Sequence, residues 1–169
     1  TASFYGSTFI SRPYMDLKDK SASVAHFEKL KKLWDKRDIL IVEGENSRSG
    51  VGNDLFNNAR SVQRIICPSR NAYSKIQDIQ ETVEKYADGK LVFLMLGPTA
   101  KVLAYRLSRK GIQAIDLGHI DSEYEWFKMG ATSKVKLSHK HTAEHNFDQG
   151  IELMENEEYS EQIISSVLD

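Results

Sequence analysis

Four short apolar runs, at residues 39–42, 64–67, 91–96 and 113–117, are separated by stretches in which apolar residues recur every three or four positions. Two of them, 39–42 and 91–96, are unbroken, the pattern of strands covered on both faces, while 64–67 and 113–117 carry Arg64, Gln113 and Asp116 and read as short strands from their bounding turns. The helical spacing predicts a helix from Ser21 or Ser23 that packs Val24, Phe27, Leu30 and Trp34, with His26 on or beside that stripe. A second is predicted over about 71–87, with Tyr73, Ile76, Ile79, Val83 and Tyr86 on one face. A third, over 101–110, is entered through Pro98 and closed by Gly111. Strand and helix alternation of this kind argues for an α/β fold built from βαβ units around a mostly parallel sheet with helices on both faces. Residues 8–14 read as a short strand-like piece ended at Pro13, from which Arg12 and Tyr14 project, and residues 133–137 as a last edge strand. The expected organisation is one domain over residues 1–145 and a peripheral, acidic, weakly amphipathic helical segment over 146–169.

In an open parallel sheet, ligands bind outside the carboxyl ends of the strands. The turns at 43–54, 67–69, 97–99 and 118–123 are therefore expected to share one edge and form the site. The first turn carries Glu43, Glu45, Gly44, Gly50 and Gly52, and Asn53 or Asp54 is placed to cap a following helix, whose free N–H groups attract phosphate. It lacks the Gly-Lys-Ser/Thr ending of a P-loop and the G-x-G-x-x-G spacing of the dinucleotide fingerprint, so no generic motif names the ligand. Arg48 is the leading phosphate candidate, because a planar guanidinium binds oxygen pairs. Gly97, Pro98 and Thr99 offer a second phosphate or sugar contact through backbone N–H groups and a hydroxyl. His119, Asp121, Glu123 and Glu125 gather directly after a strand, where carboxylates hold a divalent ion, act as bases or bind sugar hydroxyls. Asp121 equally suits a helix cap, and Tyr124, Trp126 and Phe127 suit the core.

At 169 residues and 40% hydrophobic composition, the chain can bury one substantial core. Its 23 Lys plus Arg against 24 Asp plus Glu give a net charge of −1, so no global field draws it to nucleic acid, and any cationic site must be local. No run is long enough to span a bilayer as a helix. The lone Cys67 excludes an internal disulfide, suits a reducing compartment and is expected to be buried and inert. His139, His141 and His145 have a spacing that zinc ligands use when helical, but no third ligand type completes a tetrahedral set, and an exposed polar linker is the expected role.

Five ordered blocks carry a resemblance. They are Arg12-Pro-Tyr14, the stretch from Val42 through Glu43, Gly44, Ser47, Arg48, Gly50 and Gly52 to Phe56, Ile65-Ile-Cys-Pro68, Leu96-Gly-Pro-Thr-Ala100, and the stretch from Asp116 through His119, Asp121 and Glu123 to Trp126. Together they resemble the GT-D-type glycosyltransferase family of bacteria over residues 12 to about 130. The resemblance implies a Rossmann-like fold and transfer of a hexose, typically glucose, from a UDP-sugar to a glycan or glycoprotein acceptor in the cytoplasm. Adhesin or other cell-surface glycosylation is the implied setting, with other glycosyltransferases as possible partners. It further implies a nucleotide-sugar site at Arg48, Gly50, Gly52, Asn53, Asp54, Gly97, Pro98, Thr99 and His119, with Glu123 and then Asp121 as the carboxylates acting on the acceptor hydroxyl. The family also carries an N-terminal Asp-x-Glu metal motif in an Asp-Gly-Glu setting, which this sequence does not contain. The chain is accordingly expected to start after that motif, and the implied Mn2+ or Mg2+ is left without ligands. The alternative expectation is a catalytically silent module that binds a sugar nucleotide or a partner.

Overall fold

The computed structural model describes residue 3, residues 9–142, residue 145 and residues 148–168. Its centre is a five-stranded sheet made of β1 (Asp38–Gly44), β2 (Ser61–Cys67), β3 (Leu91–Met95), β4 (Ala114–Asp116) and β5 (Ile163–Ser166). The order is β4-β3-β1-β2-β5, and every pairing is parallel. Each strand must therefore be reached by a crossover, and the crossovers cover both faces. Side chains alternate across β1. Ile39 and Ile41 meet Leu91 and Phe93 on one face, beneath Phe27 and Leu30 of α1 (Ala22–Lys31), Trp34, and Tyr124 and Trp126 of α4 (Ile120–Met129). Leu40 and Val42 meet Val92 and Leu94 on the other, beneath Ile79 and Val83 of α2 (Ile76–Tyr86) and Leu103 and Leu107 of α3 (Pro98–Ser108). This is the Rossmann-like α/β arrangement expected from the apolar runs.

Several local expectations are corrected. No helix follows β1: residues 51–60 run as turns. The Asn53 side chain accepts from Leu55 N at 3.0 Å, a local turn in place of a cap, and Leu55 and Phe56 plug the core directly below. Gly50 sits at φ +82°, and a Cβ there would stand 2.6 Å from the Phe56 ring, so the turn closes over that ring only with glycine. The second correction concerns the sheet edge. Residues 133–137 form no strand, because Trp126 Nε1 donates to Val135 O at 2.9 Å and Leu137 N donates to the Thr142 hydroxyl at 2.7 Å, tying the segment down as a crossing loop. The edge is supplied by β5, inside a stretch expected to be helical, where α5 (Glu157–Gln162) is the one helix among the described residues. Val167 N extends the pairing to Ile66 O at 2.7 Å, and Ile164 packs on the second apolar cluster.

Thirdly, α2 starts later than its periodicity predicts: Ala72–Lys75 forms a 3-10 turn that leaves Tyr73 54% exposed. Fourthly, α1 buries Ser23, Phe27 and Leu30, a stripe that rotates Val24 and His26 into solvent. Tyr14, expected to project, is buried and donates its hydroxyl to Ala131 O at 2.9 Å. The strand-like piece expected from Thr8 begins outside the described residues, and residues 9–11 form a turn.

The C-terminal segment is clamped to the sheet through a buried ionic cluster. Arg64 Nη1 lies 2.5 Å from Glu43 Oε1, with both side chains almost fully buried, and Arg64 Nε donates to Gln162 Oε1 at 2.7 Å. Glu43 Oε2 accepts from Ser49 N at 2.8 Å. The Tyr159 ring lies within 4.8 Å of the Arg64 guanidinium and 4.6 Å of that of Arg48. Burial and the Glu43 charge push the Tyr159 phenol above the usual tyrosine range. Replacing Glu43 by Ala strands a buried guanidinium and a buried N–H, and is expected to cost about 3–5 kcal/mol, measured by urea denaturation against wild type.

Candidate active site at the carboxyl edge of the sheet

Because all five strands run the same way, the segments leaving β1, β2, β3 and β4 emerge at one edge, and a cavity of about 780 Å³ opens there. The size suits a small-molecule ligand. The chain crosses from one side of the sheet to the other between β1 and β3, which is where a parallel sheet opens a crevice. Two helices begin on the cavity wall. Gly97, at φ +53° and ψ −138°, turns the chain from β3 into α3 with Pro98 at the first helical position. Gly118 N is held by the Asp116 carboxylate at 3.0 Å, which sets His119 at the start of α4. The first turns of both helices carry the positive end of a helix dipole, with Ala100 N already donating to Gly97 O at 3.1 Å and Ile120 N to Leu117 O at 3.0 Å. Arg12 and Lys101 bring cationic side chains to the same wall, Arg12 paired with Asp16 at 3.7 Å and Lys101 with Asp116 at 3.3 Å. Helix starts of this kind, with cationic side chains nearby, are a common setting for anions.

Of the residues expected to bind the nucleotide sugar, the structure brings Gly97, Pro98, Thr99 and His119 onto this cavity, with Asp121 beside them. It places Gly50, Gly52, Asn53 and Asp54 on a second depression of about 910 Å³, shared with Arg60, Lys128 and Gln162. Asp54 is bonded there to Lys31 at 3.3 Å, Lys128 at 3.1 Å and the Tyr124 hydroxyl at 3.1 Å. Burial pushes its carboxyl up, but these partners override the effect and hold it at about 2. Arg48 lines neither cavity: its Nη2 donates to Met154 O at 2.7 Å and its backbone sits at φ +46°. In this arrangement Arg48 anchors the C-terminal segment.

The two carboxylates expected to act on the acceptor are engaged internally. Asp121 is 6% exposed, and its Oδ1 accepts from Gly50 N at 2.8 Å and Asn53 Nδ2 at 2.9 Å. Its Oδ2 accepts from the buried Lys140 Nζ at 2.9 Å. The cap position of α4 belongs to His119, so Asp121 is not the cap either. Lys140 also donates to Val51 O at 2.7 Å and Glu125 Oε1 at 3.0 Å. Burial alone would lower the Lys140 ammonium, and the neighbouring Asp121 and Glu125 charges outweigh it and raise it. This hub fixes the glycine turn to the first turn of α4. Lys140 carried no signal in the sequence, since it lies in a polar linker with no helical or strand period.

Glu123 is 1% exposed, and its Oε2 accepts from Tyr14 N at 2.9 Å and Met15 N at 2.7 Å, pinning the 12–15 segment to α4. It lines neither cavity. Cys67 is fully buried, and burial with the Glu43 charge pushes its thiol up to about 12, so it is inert as expected. His139 contacts Glu152 O at 3.1 Å and His141 contacts Asp148 at 2.8 Å. Among the described residues, no three His, Cys, Asp or Glu side chains stand together as a ligand set. The cavity carboxylates Asp116, Asp121 and Asp148 are already bonded, Asp148 to His141, and they form no ligand set, so these described residues do not fit the divalent cation that the resemblance implies. Also among the described residues, no helix is long and apolar enough to cross a membrane.

Glu123→Ala leaves two N–H groups without an acceptor and is expected to cost about 2–4 kcal/mol. Glu123→Gln keeps an acceptor. Burial lifts the Glu123 carboxyl above its ordinary value against the pull of the Met15 and Tyr14 N–H groups, so the native state holds the proton more tightly than the unfolded chain. Wild-type stability therefore falls as pH rises through that range, whereas glutamine does not titrate. Urea denaturation is expected to show Glu123→Gln gaining on wild type between pH 4 and pH 7.

The family model of the glycosyltransferase GT-D fold matches residues 1–145. Glycosyltransferase GlyD of Streptococcus pneumoniae serotype 4 is 62% identical over 167 residues, which cover 99% of this chain and 20% of that protein. Probable glycosyl transferase Gly of Streptococcus gordonii is 63% identical over 166 residues, 98% of this chain and 24% of that one. A solved structure described as a new glycosyltransferase from Streptococcus sanguinis, in domain of unknown function 1792, aligns with TM-score 0.95 at 65% identity, covering 96% of this chain and 61% of that one. The chain thus spans no more than a quarter of these curated relatives and about three fifths of the solved neighbour. With the family model matching all but the last 24 of its 169 residues, the chain belongs to the glycosyltransferase GT-D fold family.

Proposed function

We propose that this chain forms the donor-binding part of a glycosyltransferase that passes a hexose, with glucose the leading candidate, from a UDP-sugar to a glycan or glycoprotein acceptor. Adhesin or cell-surface glycosylation in the cytoplasm is the setting carried by the resemblance. The observation that supports the reading is the cavity at the carboxyl edge, where two helix N-termini and the side chains of Arg12 and Lys101 converge. Breaking a glycosidic bond to a diphosphate leaves negative charge on the departing oxygens. Donors already fixed around the place where that charge grows lower the barrier without reorganising. Backbone N–H groups in the first turn of α3 and the Thr99 hydroxyl are proposed to hold the diphosphate. Lys101 and Arg12 then add charge, and His119 contacts the diphosphate or the sugar. Asp121 and Lys140 keep this wall rigid. A divalent Mn2+ or Mg2+ is carried only by the resemblance, and these roles belong to the chain's own groups.

A second reading, donor binding without turnover, is favoured by the engagement of Asp121 and Glu123 in internal hydrogen bonds. UDP release from UDP-glucose by the full-length protein, with manganese and with or without an acceptor glycan, separates the two. Acceptor-stimulated release is expected. UDP binding with no release would establish the silent module. Thr99→Val removes one hydrogen-bonding hydroxyl and is expected to weaken UDP binding about tenfold in calorimetry, a loss of about 1–1.5 kcal/mol.

A further inference from the structure

Tyr73 is 54% exposed and lies on the wall of the carboxyl-edge cavity. Among the described residues it is the one Phe, Tyr or Trp that lines it; the other exposed aromatics, Phe9 and Tyr105, do not. No apolar cluster claims its ring. Its backbone is nevertheless well fixed: Ala72 and Ile76 on either side of it are buried, and Asn71, at φ +49° and ψ +39°, turns the chain from β2 into the 3-10 helix. The fold therefore holds a half-exposed ring on the cavity wall, where water covers it at a cost in the absence of a partner.

The strand order gives that ring a place relative to the anion-binding wall. Tyr73 follows β2, which is separated from β3 and the start of α3 by β1 alone, and from β4 and the start of α4 by one strand more. At about 4.8 Å per strand, the ring's end of the cavity lies about 10 Å from the first helix start and about 14 Å from the second. A nucleoside diphosphate laid along the edge with its phosphates at the helix starts carries its base toward β2, with the ribose across the end of β1. Phosphates are drawn to the N–H groups, and the flat, apolar face of the base needs a ring.

We propose that Tyr73 is the base-stacking platform of the donor site and a determinant of its preference for a nucleotide over a bare diphosphate, an inference that rests on the donor reading above. The platform acts through the ring face, so the hydroxyl is dispensable. Because the side chain is half exposed and outside the core, substitution leaves the fold intact.

Calorimetric titration of the full-length protein with UDP tests this in wild type, Tyr73→Ala, Tyr73→Phe and Thr99→Val. Tyr73→Ala is expected to weaken UDP binding about tenfold, within the range measured for base stacking, while Tyr73→Phe stays within twofold of wild type. Unchanged affinity in Tyr73→Ala with weakened affinity in Thr99→Val overturns the platform and leaves the donor site standing. Equal losses in Tyr73→Ala and Tyr73→Phe assign the effect to the hydroxyl and also overturn it. Failure of wild type to bind UDP removes the donor reading, and the platform with it.

Discussion

The central strand β1 is hydrogen-bonded on both sides to strands that run the same way, and its residues from Ile39 to Glu43 are fully buried. A parallel sheet buried on both faces cannot place its connections within itself, so every strand delivers its polar exit to the same edge. The distance between the turns at 44, 69, 97 and 118 is thereby set by strand spacing, although they are far apart in the chain. The apolar layers above and below hold that spacing. Trp34, Phe56 and Phe93 pack edge-to-face and at tilted angles against one another on one face, while α2 and α3 close the other.

Charge at the edge is divided between two tasks. The starts of α3 and α4 line the cavity, and most carboxylates around them are taken up in holding loops. Glu43 fastens Arg64 and the 47–49 turn, Asp121 fastens the glycine turn and Lys140, and Glu123 fastens the 12–15 segment. A buried carboxylate satisfied by fixed donors is expensive to disturb, which makes it a good clamp. On the proposed reading, the cationic side of the wall is the part that meets the donor's phosphates.

The parts legible in the sequence were those in which one physical signal decides. Unbroken apolar runs gave β1 and β3 and their burial, the Ile65-Ile-Cys67 stretch before Pro68 gave β2, Pro98 and Gly111 bracketed α3, and the expected common edge with Gly97, Thr99 and His119 followed from strand direction. The rest was decided by competition between segments. Asn53 and Asp54 look like helix caps, but Leu55 and Phe56 had to reach the core at once, and the chain took turns. Ile163 and Ile164 suit a helix or a strand equally, and the open edge of β2 selected the strand. Arg48 has the composition of a phosphate ligand, and the nearby Met154 carbonyl and Tyr159 ring captured it. Tyr73 was read as core from its spacing, because the period continues through a 3-10 turn that changes the phase.

The account stands on the carboxyl edge being where the donor is held. Backbone amide chemical shifts of the full-length protein, followed by NMR as UDP is added, test this residue by residue. The largest changes are predicted at 69–73, 97–101 and 118–122, with the 52–54 turn and residues 156–162 nearly still. Changes centred on 52–60 and 156–162 instead would place the nucleotide in the second depression and contradict the account.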